Sequence, residues 1–155
     1  MVNLQHNTIS FIGFGHLGKA IAKGLLKDKN HRIRAAAPSL PVGVQENGIQ
    51  TDCDNRAVLS QTDVVILAVK PVQMERVFAE IHEQLPKHCL VISIAAGLNL
   101  AWFDKRGGSH IALVRTMPNV CSQIGKSATP MIANACVSEA QKRQAEKIFS
   151  TLFGR

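Results

Sequence analysis

The chain has 155 residues, of which 46% are hydrophobic, and this length and content suit one domain with a buried core. Its net charge of +7 favours an anionic partner, which can be nucleic acid, a membrane surface or a phosphorylated small molecule. Aromatic residues make up only 5% of the chain and no segment approaches about 18 uninterrupted apolar residues, so nucleic-acid and membrane partners are disfavoured.

Five apolar runs of strand length alternate with segments of helical period. DVVILAV and CLVISI are apolar without period-two alternation, as is typical of strands covered on both faces of a parallel sheet. The pattern predicts an α/β fold, a Rossmann-like doubly wound, mainly parallel sheet with helices on both faces. The predicted strands are residues 8–12, 32–37, 63–69, 89–94 and 110–115.

Three amphipathic stripes predict helices that pack on this sheet. Pro71 suits the start of the second helix, and Ser138 with Gln141 has capping-box spacing at the start of the third. Gly154 suits the position just after the third helix. The predicted buried positions are Leu17, Ala20, Ile21, Gly24 and Leu25, then Met74, Val77, Phe78, Ile81 and Leu85, then Ala145, Ile148, Phe149 and Leu152.

A glycine-rich stretch, ISFIGFGHLGKA, lies between the first strand and the first helix. Gly13 permits a tight turn, Gly15 lets the backbone approach a pyrophosphate, and Gly18 allows close packing of helix on sheet. The free N–H groups at the start of the helix then face the anion. Because a second strand follows within about 30 residues, the motif predicts a dinucleotide site rather than a purely structural turn.

The end of the second strand indicates which dinucleotide binds. An NAD site usually has an acid about 20 residues after the glycines, but here the sequence reads AAAPS with no acid between Asp28 and Glu46. Ser39 can donate to a 2′-phosphate, and Arg32 or Arg34 can add positive potential unless strand alternation directs it elsewhere. We therefore expect NADP as the cofactor, with NADPH favoured over NADH.

The four cysteines, Cys53, Cys89, Cys121 and Cys136, lie far apart without a C-x-x-C pair or a histidine pair at metal-ligand spacing. This pattern predicts reduced thiols and no metal site. The start of the chain, MVNLQHNTIS, lacks the charged and apolar regions of a secretory signal. A cytoplasmic location is therefore expected.

Three further motifs, AVKP, SIAAG and RTMPN, follow in order at the carboxyl ends of predicted strands. Together with FIGFGHLGKA they give residues 8–154 a sequence that resembles the nucleotide-binding domain of pyrroline-5-carboxylate reductase. The resemblance implies an oxidoreductase of proline biosynthesis that transfers a hydride from NAD(P)H to the C=N bond of 1-pyrroline-5-carboxylate, giving L-proline. The small-molecule imine is then the substrate.

The resemblance also implies a set of cofactor-binding positions, while it identifies no catalytic residue. Those around the pyrophosphate are Ile12, Gly13, Phe14, Gly15, His16, Leu17 and Gly18, and those near the adenosine are Ser39 and Asn55. Those around the nicotinamide riboside are Ala68, Val69, Lys70, Pro71, Ala95, Ala96 and Gly97, with Pro118 and Asn119 near the reacting ring.

Several of these positions have an alternative, structural interpretation. Lys70 can act through its backbone alone, and residues 95–97 can be small because a helix packs against them. His16 can serve only to start a helix, and the family more often has Asn or Gln there. Val120-Cys121 stands where the family usually has Thr-Pro.

The resemblance assigns residues 1–155 to an NAD(P)-binding Rossmann domain and implies that the family's helical dimerisation and substrate domain is absent from this chain. A homo-oligomer is then expected only where that domain is present. We also expect the chain to stop before one more strand of the sheet, leaving an unpaired edge. Two alternatives stay open: a stand-alone NADP-binding module without catalysis, and another Rossmann imine or β-hydroxyacid reductase.

Overall fold

The computed structural model describes residues 7–117 and 130–150, which form an eight-stranded sheet with helices on both faces. The strand order is β3-β4-β2-β1-β5-β6-β7-β8, in which β3 and β8 are antiparallel to their neighbours and all other pairs are parallel. The Rossmann-like fold is therefore confirmed. The strands are β1 Asn7–Ile12, β2 His31–Ala36, β3 Gly43–Val44, β4 Gln50–Asp52, β5 Val64–Leu67, β6 Leu90–Ser93, β7 Ala112–Thr116 and β8 Met131–Ala133.

The five predicted strands correspond to β1, β2, β5, β6 and β7, with ends that differ by one or two residues. Every residue of β5 and β6 is buried, as the apolar runs indicate. The short strands β3, β4 and β8 were not predicted. Because β8 pairs with β7, the described sheet ends on a three-residue strand rather than on β7.

The three predicted helices are present as α1 His16–Leu25, α2 Pro71–Ile81 and α4 Glu139–Ser150, and a short helix, α3, spans Leu100–Phe103. The capping box is confirmed, since Gln141 N donates to Ser138 Oγ at 3.1 Å and Ser138 N donates to Gln141 Oε1 at 2.9 Å. The predicted stripe of α1 was wrong at two positions, since Leu17 and Ala20 are half-buried and Ala22 is buried instead, and the predicted Leu85 is half-buried beyond the end of α2. The predicted positions Leu152 and Gly154 lie outside the described residues.

Two apolar cores hold the helices against the sheet. On one face α1 and α4 bury Ile21, Leu25 and Phe149 against β1, β2, β5 and β6. On the other face α2 and α3 bury Phe78 and Phe103 against β5, β6 and β7. The sheet is thus a rigid layer covered by helices on both faces, with loops at its carboxyl edge, where the parallel strands end.

The three described cysteines are free thiols. Cys53 and Cys136 are exposed, whereas Cys89 is buried, and its burial beside Asp63 raises the pKa of the Cys89 thiol to about 12. Within residues 7–117 and 130–150, no group of three metal-ligating side chains comes together, and no helix is long and apolar enough to span a bilayer.

Candidate functional site

The point at which the chain changes direction across the sheet lies between β1 and β5. From β1 the chain crosses to β2 on one side, and it later enters β5 on the other side of β1. In open α/β sheets, ligands bind outside the carboxyl ends of the strands at this switch point. The loops after β1 and β5 carry the first and second predicted motifs to this place.

Gly13, in the loop after β1, packs against the loop after β5, and a side chain at its position would be strained. Its N–H donates to Ala36 O at 2.8 Å, and its φ is +87°, a conformation that favours glycine. An added Cβ would lie 2.8 Å from Val69 Cγ1 and 2.9 Å from the carbonyl carbon of Ala68. The tight turn predicted at Gly13 is therefore present, and it packs directly on the backbone after β5.

Gly15 lies over open space at the start of α1. It is the residue before the helix, with φ −83°, and apart from Gly15 and its two chain neighbours no described residue has a heavy atom within 4 Å of where its Cβ would stand. No described side chain caps this helix end, and its first four residues, HLGK, include no acid. The N–H groups at the start of the helix and the helix dipole therefore face a space that none of residues 7–117 and 130–150 fills, which fits a phosphate group.

Gly18 has a weaker structural requirement than the motif implies. An added Cβ would lie 3.5 Å from Ala68 Cβ and 3.6 Å from Phe11 Cδ2, which are ordinary contacts. Close packing of α1 on the sheet therefore does not demand glycine at this position, and alanine fits there.

The other predicted pyrophosphate residues surround the same loop. Ile12 is buried at the end of β1, and its carbonyl accepts from Ala68 N at 2.8 Å. Phe14 and Leu17 are half-buried and pack against the core of α1 and α4. His16 is exposed as the first residue of α1, so its imidazole is free to reach a ligand as well as to start the helix.

The loops after β5 and β6 lie side by side, since these strands are paired. Lys70 is exposed and precedes α2 in extended conformation, its carbonyl accepting from Gln73 N at 2.9 Å, with Pro71 as the first helical residue. Its backbone therefore has a structural role, and its side chain stays free for a ligand.

The turn after β6 is shaped by its own backbone. Ala95 is buried and its N–H donates to Ser93 Oγ at 3.3 Å, whereas Ala96 is exposed. Gly97 has φ +81°, and among the described residues no heavy atom would contact its Cβ within 4 Å. Backbone conformation, and not close helix packing, therefore accounts for Gly97. The predicted residues Pro118 and Asn119, and the neighbouring Cys121, lie outside the described residues.

The predicted positive potential near Ser39 is not supplied by the arginines of β2. Ser39 is exposed in the turn after β2. Arg34 is buried, with its Nη2 donating to Ser60 O at 2.6 Å and its Nε to Ser10 Oγ at 3.3 Å, and burial lowers the pKa of its guanidinium. Arg32 lies in the amino-terminal half of β2, away from the carboxyl edge.

Acidic side chains near this end of the sheet were missed by the sequence analysis. The unpredicted strand β4 runs parallel to β2, which pairs Ala36 with Asp52. The turn after β4 then brings in Asn55, whose Nδ2 donates to Glu80 Oε1 at 3.0 Å. The acid of a dinucleotide site is expected at the end of β2, so the sequence pattern predicted a role for neither Asp52 nor Glu80.

Comparisons with known proteins place this geometry in a family. Residues 8–97 match the family described as NADP oxidoreductase coenzyme F420-dependent. The chain belongs to this family. This family is one of NADP-dependent oxidoreductases, and the predicted cofactor NADP is confirmed at the level of the family.

Within that family, the chain is similar to pyrroline-5-carboxylate reductases, which confirms the resemblance seen in the motifs. The one from Vibrio alginolyticus is 36% identical over 155 residues, covering 96% of this chain and 57% of that protein. A solved pyrroline-5-carboxylate reductase from Coxiella burnetii has a TM-score of 0.83 at 35% identity, again covering 96% and 57%. The Plasmodium falciparum pyrroline carboxylate reductase with NADP bound, at 24% identity and a TM-score of 0.81, shows the same fold, covering 97% of this chain and 56% of that one. The chain spans little more than half the length of these relatives.

Gly13 and Gly18, the first and last glycines of the motif, allow a matched test of how tightly each packs on its neighbours. Gly13→Ala is expected to lower the free energy of unfolding by about 1–3 kcal/mol, because the new Cβ meets the backbone after β5 at an unfavourable φ. Gly18→Ala is expected to leave it unchanged or raise it by up to about 1 kcal/mol, as glycine-to-alanine changes do inside helices. Urea unfolding of the two variants measures both values, and equal losses would contradict the packing described for Gly13.

Proposed function

We propose that this chain is the cofactor-binding part of a pyrroline-5-carboxylate reductase and holds NADPH at the carboxyl edge of its sheet. The observation that carries the proposal is the open, uncapped start of α1 over Gly15, next to the turn at Gly13. The match to an NADP oxidoreductase family and the likeness to proteins named pyrroline-5-carboxylate reductase support it.

In this proposal residues from the loops at the carboxyl edge of the sheet share the cofactor. Residues 12–18 hold the pyrophosphate through backbone N–H groups, Ser39 donates to the 2′-phosphate, and Asn55 lies at the adenosine. Residues 68–71 and 95–97 line the nicotinamide riboside, and Pro118 and Asn119 lie near the reacting ring. The exposure of Ser39, Lys70 and Ala96 leaves them free for these roles.

When bound, NADPH supplies a hydride to the imine carbon of 1-pyrroline-5-carboxylate while a proton is added at the nitrogen, giving L-proline and NADP⁺. The chain's part is to fix the orientation of the cofactor, which supplies much of the rate in hydride transfer. We assign no proton donor among the residues of this chain. We assign the completion of the imine pocket, and the formation of any homo-oligomer, to the part of the relatives that this chain does not cover.

Preference for NADPH over NADH is part of the proposal. No acid follows β2 to bond a ribose 2′-hydroxyl, and the Ser39 hydroxyl is exposed beside the end of that strand. Because no acid stands directly after β2, a 2′-phosphate does not meet there the repulsion that it meets in NAD sites, and the neighbouring Asp52 accepts a hydrogen bond within its own turn, from Asp54 N.

The proposed function is tested by titrating the chain with NADPH and then assaying pyrroline-5-carboxylate-dependent NADPH oxidation in the same sample. Calorimetric binding is expected, with turnover that is slow or undetectable without the remaining part of the pocket. Adding the remainder of a relative such as the Vibrio alginolyticus enzyme, fused after residue 155, is expected to give turnover. Binding without turnover in the fusion would favour a stand-alone NADP-binding module instead.

Gly15→Val tests the pyrophosphate position. The side chain enters space that no described protein atom occupies, so the fold is expected to be unaffected while NADPH affinity falls at least a hundredfold. Calorimetry measures the affinity, and Gly18→Ala is the control with near-normal binding. An unchanged affinity in Gly15→Val would mean that the phosphates bind elsewhere.

Ser39→Asp tests the 2′-phosphate position. The new carboxylate is expected to weaken NADPH about tenfold or more through like-charge repulsion and to leave NADH nearly unchanged. Ser109→Asp adds the same charge just before β7, at the other edge of the sheet, and is expected to alter neither affinity. Equal losses for both cofactors in Ser39→Asp would place the 2′-phosphate away from Ser39.

A further inference from the structure

The side chain of Asn55 is held by a carboxyl group of helix α2. Glu80 lies in the last turn of α2, and its Oε1 accepts from Asn55 Nδ2 at 3.0 Å. Both residues are half-buried. Hydrogen bonds to a charged acceptor are stronger than those between neutral groups, and this one joins residues 25 positions apart.

The carboxylate of Glu80 determines which way the Asn55 amide faces. An ionised carboxylate accepts hydrogen bonds and has none to donate, so only the NH₂ end of the amide can point toward it. The carbonyl oxygen Oδ1 is then directed away from Glu80 as an acceptor. A free asparagine, in contrast, can turn either end toward a ligand.

The nearby carboxylates are already engaged within their own turn. Asp52 Oδ1 accepts from Asp54 N at 2.9 Å, and Asp54 Oδ1 accepts from Arg56 N at 3.0 Å. The Arg56 Nε lies 3.4 Å from the same Asp54 oxygen. None of these hydrogen bonds involves Glu80, so a substitution at Glu80 is expected to alter the Asn55 amide in particular.

We propose that Glu80 is a positioning residue which, by fixing Asn55, limits how strongly this protein prefers NADPH over NADH. The proposal rests on the cofactor site given under Proposed function. An outward Oδ1 can accept from the ribose 2′-hydroxyl of NADH. A 2′-phosphate at neutral pH offers mainly acceptors, which Oδ1 cannot bond. In NAD sites an acid at the end of β2 usually accepts from the ribose 2′-hydroxyl. In this proposal the neutral amide oxygen of Asn55 has that role, and the carboxylate of Glu80 on α2 orients it.

Glu80→Gln frees the orientation of the Asn55 amide while it keeps the size of the side chain at position 80. Glutamine has nearly the same size, and its amide can either accept from Asn55 or donate to it, so Asn55 becomes free to turn its NH₂ toward a 2′-phosphate. The ratio of NADPH affinity to NADH affinity, measured by calorimetry with each cofactor, is expected to rise about threefold to tenfold, the effect of one or two hydrogen bonds. Glu83→Gln makes the same charge change at an exposed position just beyond α2 and is expected to leave the ratio unchanged.

Asn55→Ala shows whether the effect passes through the amide. Alone, it is expected to weaken NADH severalfold and NADPH much less. In the Asn55→Ala background, Glu80→Gln is expected to have no further effect on the ratio. A ratio change that persists there would mean that Glu80 acts by its charge directly, and an unchanged ratio in Glu80→Gln itself would also overturn the proposal. If the unaltered chain binds neither cofactor, the proposed function fails instead.

Discussion

The contact between Gly13 and the backbone after β5 is the constraint on which the site depends. It fixes the loop after β1 against the loop after β5, while the Gly13 N–H is bonded to Ala36 at the end of β2. The carboxyl ends of three neighbouring strands are thereby tied to one glycine. With that turn fixed, the chain has only two more residues before α1 begins, and the helix start is held at the switch point of the sheet.

The two apolar cores explain why the proposed cofactor site lies at the carboxyl edge. Strands β5 and β6 are fully buried, and the helices on both faces leave the sheet little surface for a ligand. At the edge, the strands end and backbone groups become available, most of all the N–H groups at the start of α1. Burial therefore supplies a rigid frame, and the exposed loops at its edge supply the polar groups that a dinucleotide requires.

The sequence predicts well those features that arise within one segment. The buried strands, the helices α1, α2 and α4 and the glycine turn each have a local pattern, and the structure contains all of them, although Leu17, Ala20 and Leu85 of the predicted apolar stripes are only half-buried. Features that depend on contacts between distant segments have no such pattern. Strands β4 and β8 are only three residues long, and hydrogen bonds to Ser10 and Ser60 set the direction of the Arg34 side chain. The link between Asn55 and Glu80 likewise forms only because α2 packs beside the turn after β4.

The central claim is that the start of α1 holds the phosphates of NADPH, and the backbone amide signals of the protein during an NADPH titration test it most directly. Two-dimensional NMR of the ¹⁵N-labelled chain is expected to show its largest shifts at residues 13–18, with smaller shifts at 68–70 and 95–97. The amides at the amino ends of β6 and β7, at the opposite edge, are expected to stay unchanged. Saturable shifts at that opposite edge with none at residues 13–18 would contradict the account.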